Sequence, residues 1–287
     1  MSIAGFIGQL FAIVLALALA PLLTGWVNQC RAWLQSRSAP PLLQPYYMLH
    51  KLFQKDVVLA HNASSLFRTA PFVIFGRMVL ACAIIPSLST DLPFAPAADT
   101  LALVGVFGLA RIFISLAAMD VGTSFGSLGG RREMLVGFLA EPALLMVIFT
   151  TAMISQSTSV ATIVETLAHR DFIIFELTMI HEAMILEYSG RHLALIEWAS
   201  SLKLYAYSCL GLALFLPWGI AEKDNFLGLI GAIPLLLVKL GIGGFFLALI
   251  ETVNAKMRIF RAPEFLGTAF LLAVLGLLVR LLLETKV

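Results

Sequence analysis

Several charged side chains lie inside segments of this sequence that are otherwise apolar. Arg111, Glu141 and Lys239 lie well within such segments, and Arg77 and Glu251 lie nearer to their ends. A charge in hydrocarbon costs roughly 2.5–3.5 kcal/mol on insertion scales unless it is paired or hydrated. Buried acids and a buried lysine can exchange protons, because burial and neighbouring charges shift their protonation equilibria. We therefore expect a polar interior pathway, with Lys239 facing acids of neighbouring helices. For Arg77 a structural ion pair is the alternative.

Two acids are expected on one side of a helix. Glu133 and Glu141 are eight residues apart, which separates them by about 80° around an α-helix. A position near a helix start, where the dipole favours a negative charge, would also explain Glu133. Glu141 lies too deep for that explanation. The residues 120–133 (DVGTSFGSLGGRRE) are predicted to form a glycine-rich loop, and they lack the lysine of a P-loop.

A third group of acids lies in the segment 171–190. Glu176, Glu182 and Glu187 alternate there with Met and Leu residues. His181 has no second ligand three or four residues away, so the segment does not match a helical metal motif. Proton chemistry and an amphipathic helix that contacts a partner both remain open for these acids.

The composition is that of an integral membrane protein. Of 287 residues, 60% are hydrophobic and 13% are charged, whereas soluble domains have about 45–50% apolar and about 25% charged residues. A sizeable water-soluble domain is therefore excluded. The net charge of +2 gives no indication of nucleic-acid binding. The cysteines Cys30, Cys82 and Cys209 are too far apart in sequence for a local iron–sulfur or zinc motif.

The predicted fold is an all-α, polytopic transmembrane helix bundle that forms a single domain over residues 1–287. Continuous apolar runs without alternation indicate helices rather than barrel strands, and each crossing takes about 20 apolar residues. Seven spans are clear, at 3–27, 71–90, 100–119, 134–154, 202–220, 226–250 and 265–283.

Charged loops set the predicted topology. The loop 28–70 contains five Lys and Arg residues, so the positive-inside rule makes it cytoplasmic and the N-terminus external. Membrane crossings counted from the two chain ends give the same topology only if one more crossing lies between about 155 and 190. The candidate is 171–188, a short fifth span whose acids should be buried among other helices. Residues 42–53 are predicted to form an amphipathic helix in the membrane interface.

Five stretches together resemble a membrane protein family that respiratory complex I, where it is known as subunit 1, shares with membrane-bound group 4 nickel–iron hydrogenases. The resemblance is closest to the formate hydrogenlyase and hydrogenase-4 type. The stretches occur in the family order and are residues 43–55 (LQPYYMLHKLFQK), 111–126 (RIFISLAAMDVGTSFG), 130–142 (GRREMLVGFLAEP), 187–190 (EYSG) and 251–258 (ETVNAKMR).

The resemblance implies a cofactor-free subunit of a complex-I-like oxidoreductase in the cytoplasmic (inner) membrane. Such a subunit anchors the hydrophilic redox arm and couples electron transfer to proton or sodium translocation. Iron–sulfur clusters and a nickel–iron centre are then expected in hydrogenase-like partner subunits, beside antiporter-like membrane subunits. A bound quinone is left open.

The predicted site residues combine the residue patterns with the resemblance. No catalytic or metal-binding residue is predicted. The predicted pathway comprises Glu133, Glu141, Glu176, Glu182, Glu187, Lys239 and Glu251. The predicted arm interface comprises Lys51, Lys55, Asp120, Arg131, Arg132, Lys256 and Arg258.

This sequence departs from the family in one place. Family members have a fifth helix and an acidic loop before the equivalent of 176–190, and here residues 169–175 run almost directly into that segment. About one helix is therefore expected to be missing. Two alternatives stand beside the hydrogenase-linked function: a quinone-reducing subunit of complex I type, and a self-contained ion-coupled transporter. The absence of an internal sequence repeat disfavours the transporter.

Overall fold

The part of the chain that the structure describes consists mainly of α-helices. A computed structural model describes residues 3–60, 62–88, 100–155, 187–216, 226–253 and 262–284, together with positions 157, 159, 163, 184, 185 and 218. In chain order the helices are α1 (Ile3–Leu34), α2 (Gln44–Phe53), α3 (Ser65–Ile84), α4 (Thr100–Asp120), α5 (Ser124–Ser155), α6 (Gly190–Phe215), α7 (Phe226–Val253) and α8 (Ala262–Glu284).

Five of these helices are long and apolar enough to cross a membrane. The candidate spans are Gly8–Leu34, Ser65–Ile84, Leu101–Asp120, Ser124–Thr150 and Gly231–Val253, and α8 contains a shorter apolar stretch, Phe270–Val279. Helix α6 is longer than a span, but it carries charged residues such as Arg191, Glu197 and Lys203. The all-α, polytopic fold predicted from the sequence is confirmed, and each of the seven clear predicted spans overlaps one of the helices α1 and α3–α8.

Small residues bring the central helices together. Helices α1, α3 and α6 pack against one another, α7 packs on α1, and a row of α4, α5 and α8 extends from α3. Fully buried alanines such as Ala20, Ala81 and Ala206 lie on the three central helices. Small side chains allow close backbone contact, which is the main source of helix association where lipid removes the hydrophobic driving force.

Contacts at the helix ends define two sides of the bundle. On one side, Arg31 at the end of α1 forms an ion pair with Glu251 near the end of α7. The start of α3 lies there with the end of α4, because Ser64 N–H donates to Asp120 Oδ2 at 2.8 Å. On the other side, Gln9 Nε2 of α1 donates to the Ala83 carbonyl of α3 at 2.9 Å.

The chain changes sides between α5 and α6. Helix α5 begins just after Asp120 and has 32 residues, so at about 1.5 Å per residue it ends far from that side. Helix α6 begins back on the first side, because Ser189 contacts Val58 of the loop between α2 and α3. The end of α5 and the start of α6 thus lie on opposite sides, and the predicted crossing between about 155 and 190 stays a prediction. Most of the 171–188 segment lies outside the described residues.

The predicted glycine-rich loop 120–133 is wrong in extent. Helix α5 begins at Ser124, so most of the glycines lie inside it, and Thr123 Oγ1 accepts the Gly126 N–H at 3.3 Å. A Cβ on Gly126 would lie 2.7 Å from the Ala118 carbonyl oxygen of α4, and one on Gly130 would lie 2.9 Å from that of Ser115. The glycines therefore permit close packing of α5 on α4. From the sequence pattern alone, the same glycines indicate a flexible loop.

Helix α2 lies within the predicted segment 42–53 and packs against the bundle. Leu49 is buried, Tyr46 O–H donates to the Ala18 carbonyl of α1, and Phe53 meets the ring of Trp198 edge-on at 6.1 Å. Burial raises the pKa of the Tyr46 phenol, which adds to its ordinary preference for the protonated donor form at neutral pH. The helix is held against α1 and α6 by these contacts.

Candidate functional site

A guanidinium and two carboxylates meet between α4 and α5. Arg111 Nε lies 3.3 Å from Glu133 Oε1, and Arg111 Nη1 lies 3.9 Å from Glu141 Oε1. The side chains of Arg111 and Glu133 are 15% and 14% exposed, and that of Glu141 is 34% exposed. We call these three residues the charge cluster. The structure thus brings the two predicted acids of α5 to one cation of α4.

Two glycines make room for the charge cluster. A Cβ on Gly137 would lie 2.6 Å from Arg111 Cδ, and a Cβ on Gly108 would lie 3.0 Å from Glu141 Oε2. The Arg111 side chain therefore lies across α5 at Gly137, and the Glu141 side chain lies across α4 at Gly108. The two long side chains extend over each other's helix instead of pushing the helices apart.

The charge cluster carries one more negative than positive charge. Its two ion pairs have two carboxylates for a single guanidinium, and one added proton would make the group neutral. A neutral group is favoured where the surroundings are apolar. Arg111 Nη1 is buried and makes no hydrogen bond within the described residues. The cluster therefore places two acids beside a single cation between two apolar helices.

The sequence shows Arg111 as a charge inside an apolar segment, but the list of predicted pathway residues does not include it. Its position inside an apolar run is the available signal, and that signal does not reveal its partners. Glu251 is predicted to belong to the pathway, and the structure pairs it with Arg31 between α1 and α7. In the sequence Arg31 counts only as a loop charge. The structure does not test the predicted proton role of Glu251.

Lys239 does not face acids within the described residues. Its ammonium donates to the carbonyls of Leu216 and Trp218, directly after the end of α6. The last carbonyls of a helix lack intrahelical partners, and a cation satisfies them and complements the helix dipole. Among the described residues the end of α6 thus supplies the oxygen partners of Lys239, and its predicted place in the pathway stays a prediction.

The described residues of the predicted arm interface fall into two groups. Lys51, Lys55, Arg131 and Arg132 are exposed on the side of the bundle where α4 ends and α5 begins. Asp120 instead accepts the Ser64 N–H at the start of α3, which gives it a structural contact. Lys256 and Arg258 lie outside the described residues, as do Glu176 and Glu182 of the predicted pathway.

The motif 187–190 (EYSG) fixes the start of α6 to the loop after α2. Tyr188 stacks on Phe67 with ring centroids 4.1 Å apart and donates to its carbonyl at 3.2 Å. Ser189 Oγ accepts the Val58 N–H at 2.9 Å and donates to the Val58 carbonyl at 3.0 Å. Glu187 lies next to this junction and is partly exposed. The junction holds the acidic segment's end on the side where Glu133 lies.

Replacing Gly190 by alanine should destabilise this junction. Gly190 has a φ of 54°, and a Cβ there would collide with the Asp56 carbonyl. Left-handed backbone costs about 1–2 kcal/mol for a residue with a Cβ, and the collision adds to that. Thermal unfolding of the purified protein should therefore show a lower midpoint for Gly190→Ala. The control is Gly211→Ala on the same helix, where a Cβ meets nothing within 4 Å. Equal midpoints for both variants would contradict this description of the junction.

The cysteines lie on three different helices. Cys30 is buried in α1, Cys82 in α3 and Cys209 in α6. In the part of the chain that the structure describes, no three His, Cys, Asp or Glu side chains are grouped so as to hold a metal ion.

The fold and the charge cluster define a multi-pass helical membrane protein with ion-paired acids between two of its helices. A sequence model of the family described as NADH dehydrogenase matches residues 7–186 and 176–282. The chain belongs to this family, as its motifs predict. The two matches overlap within the acidic segment, at 176–186, where the sequence departs from the family pattern.

Curated relatives cover nearly the whole chain. Hydrogenase-4 component C of Escherichia coli is 30% identical over 289 residues, covering 92% of each chain. Formate hydrogenlyase subunit 4 of the same organism is 28% identical over 286 residues, covering 90% of this chain and 93% of the relative. In both cases the alignment is longer than the number of residues of this chain that it includes. Each relative therefore has residues without a counterpart here.

The fold has a close match among solved structures. A chain of the membrane-bound sulfane sulfur reductase, described as an archaeal respiratory membrane complex, superposes with a TM-score of 0.79. The match covers 96% of this chain and 98% of that chain at 18% identity. At this identity the likeness concerns the fold.

Proposed function

We propose that this chain is a membrane subunit of a complex-I-like oxidoreductase of the hydrogenase-linked type, and that it couples electron transfer in its partners to proton or sodium movement. The observation that carries the proposal is the charge cluster, which holds Glu133 and Glu141 on one partly buried cation. Keeping these charges in an apolar bundle costs free energy. Packing of the helices alone would not require such charges. The names of the relatives support the hydrogenase linkage.

The redox centres are proposed to lie in partner subunits. This chain has three cysteines, whereas an iron–sulfur cluster generally uses four thiolates. The hydrophilic arm would dock on the side that exposes Lys51, Lys55, Arg131 and Arg132. Antiporter-like subunits would continue the pathway within the membrane.

Affinity purification of the native complex with metal analysis tests this function. A tagged chain should bring down hydrophilic subunits that contain iron and nickel. Iron without nickel, together with bound quinone, would instead indicate the quinone-reducing type. A chain that purifies alone, without iron, and moves ions by itself would contradict the proposal in favour of a transporter.

The chain is proposed to lie in the cytoplasmic membrane with its N-terminus outside. This orientation follows from the basic residues of the loop 28–70. In intact cells, a membrane-impermeant thiol reagent should label Asn225→Cys and should fail to label Ser38→Cys until the membrane is opened. The native cysteines should give a low background, because the three are buried. Efficient labelling of Ser38→Cys from outside would invert the topology.

A further inference from the structure

We propose that Arg111 is a movable cation that exchanges between Glu133 and Glu141 as the two carboxylates take turns holding a proton, and that Gly137 and Gly108 keep the space for this movement. The inference rests on the proposed ion-coupling function. It adds one positioning residue, Arg111, and the two glycines that its movement requires. It follows from distances and contacts within the charge cluster.

The two ion pairs of Arg111 are unequal. Nε lies 3.3 Å from Glu133 Oε1, whereas Nη1 lies 3.9 Å from Glu141 Oε1 and forms no hydrogen bond within the described residues. Hydrogen bonds between such groups measure about 2.7–2.9 Å. A shift of the guanidinium by about 1 Å would therefore complete the pair with Glu141 and lengthen the pair with Glu133. In the structure the guanidinium lies closer to Glu133 than to Glu141.

Charge balance connects this shift to protonation. When Glu133 takes up a proton its charge is cancelled, and the guanidinium is then attracted only by the Glu141 carboxylate. When the proton has passed to Glu141, Glu133 is ionised again and the guanidinium returns to it. Both proton-loaded states contain one neutral carboxyl, one carboxylate and one guanidinium and have a net charge of zero, whereas the cluster has a net charge of minus one before uptake at Glu133 and after release from Glu141. The apolar surroundings favour such neutral states over a bare charge.

The glycines determine whether the side chains can move. A Cβ on Gly137 would lie 2.6 Å from Cδ and 3.0 Å from Nη1 of Arg111, and one on Gly108 would lie 3.0 Å from Oε2 of Glu141. In both cases the contacted atoms belong to the outer part of a long side chain rather than to backbone. Alanine is a better helix former than glycine, so an alanine at either position should displace the charged side chain and leave the helices in place.

Alanine variants of the two glycines test the proposal in the purified complex in proteoliposomes. The readout is the number of ions moved per electron, measured with a pH-sensitive dye and with radioactive sodium. Gly137→Ala and Gly108→Ala should lower this ratio by about tenfold or more, because misplacing a reacting group by about 1 Å slows its step by up to roughly 100-fold, and electron transfer then outruns proton transfer. Arg111→Gln should lower it as far, and Arg111→Lys should restore part of it by keeping the positive charge.

The matched control is Gly105→Ala, also on α4, where a Cβ meets nothing within 4 Å. Wild-type ratios in Gly137→Ala and Gly108→Ala would overturn the proposal, and so would failure of both variants to assemble while Gly105→Ala assembles. If Glu141→Gln uncouples the complex but the alanine variants do not, the inference fails and the coupling function stands. If the wild-type complex moves no ions, both fail.

Discussion

Replacing Glu141 by glutamine should leave a complex that assembles but moves about tenfold fewer ions per electron. The substitution keeps the size and hydrogen-bonding capacity of the side chain and removes the group that exchanges a proton. Loss of a positioned proton-transfer group lowers proton-transfer rates by roughly 100-fold or more. The acid contacts Arg111 across the α4–α5 interface, so the remaining Arg111–Glu133 pair should still hold the two helices.

The measurement is ion uptake by proteoliposomes, divided by the electron-transfer rate in the same sample. Glu141→Asp is the control, because it keeps a carboxylate on a shorter side chain and should retain part of the translocation. Wild-type coupling in Glu141→Gln would reduce Glu141 to a structural partner of Arg111. Loss of assembly in Glu141→Gln but not in Glu141→Asp would lead to the same structural role.

A leucine at Gly130 should prevent normal packing of α5 on α4. A Cβ there would lie 2.9 Å from the Ser115 carbonyl oxygen, which belongs to the backbone and cannot turn aside. Overpacking of this kind usually costs about 1–3 kcal/mol and more when backbone must move. The yield of folded protein after membrane extraction should fall strongly, together with the unfolding midpoint of what remains. Gly126→Leu should behave in the same way, because its Cβ would lie 2.7 Å from the Ala118 carbonyl oxygen.

Gly105→Leu is the matched control for this packing prediction. Gly105 is an exposed residue of α4, and a Cβ added there would have nothing within 4 Å. Its leucine variant adds the same apolar volume to the same pair of helices without a contact between them. Equal yields and midpoints for Gly130→Leu and Gly105→Leu would show that the close approach of α5 to α4 is not required.

Helix positions could be predicted because apolar length alone determines them in a membrane. The run before Val27 and the run around Lys239 each appear as a helix, α1 and α7. The start of α5 could not be predicted in the same way. Gly126 and Gly130 weaken a helix in water, and only their contact with the α4 backbone explains why they lie inside one.

The partners of the buried charges depend on tertiary structure. An eight-residue spacing puts Glu133 and Glu141 on related faces of α5, but it does not say that Arg111 of another helix faces them. Lys239 shows the same dependence. Within the described residues its ammonium donates to carbonyls at the end of α6, and that position depends on how α6 packs beside α7.

Ion movement during turnover of the wild-type complex tests the coupling function most directly. The purified complex is reconstituted into sealed proteoliposomes, and electron transfer is started with an artificial low-potential donor. Proton movement is followed with a pH-sensitive dye, and sodium movement with a radioactive tracer. Coupling predicts that turnover builds an ion gradient, which collapses when an ionophore for that ion is added. Full electron-transfer turnover in sealed vesicles without movement of either ion would contradict it.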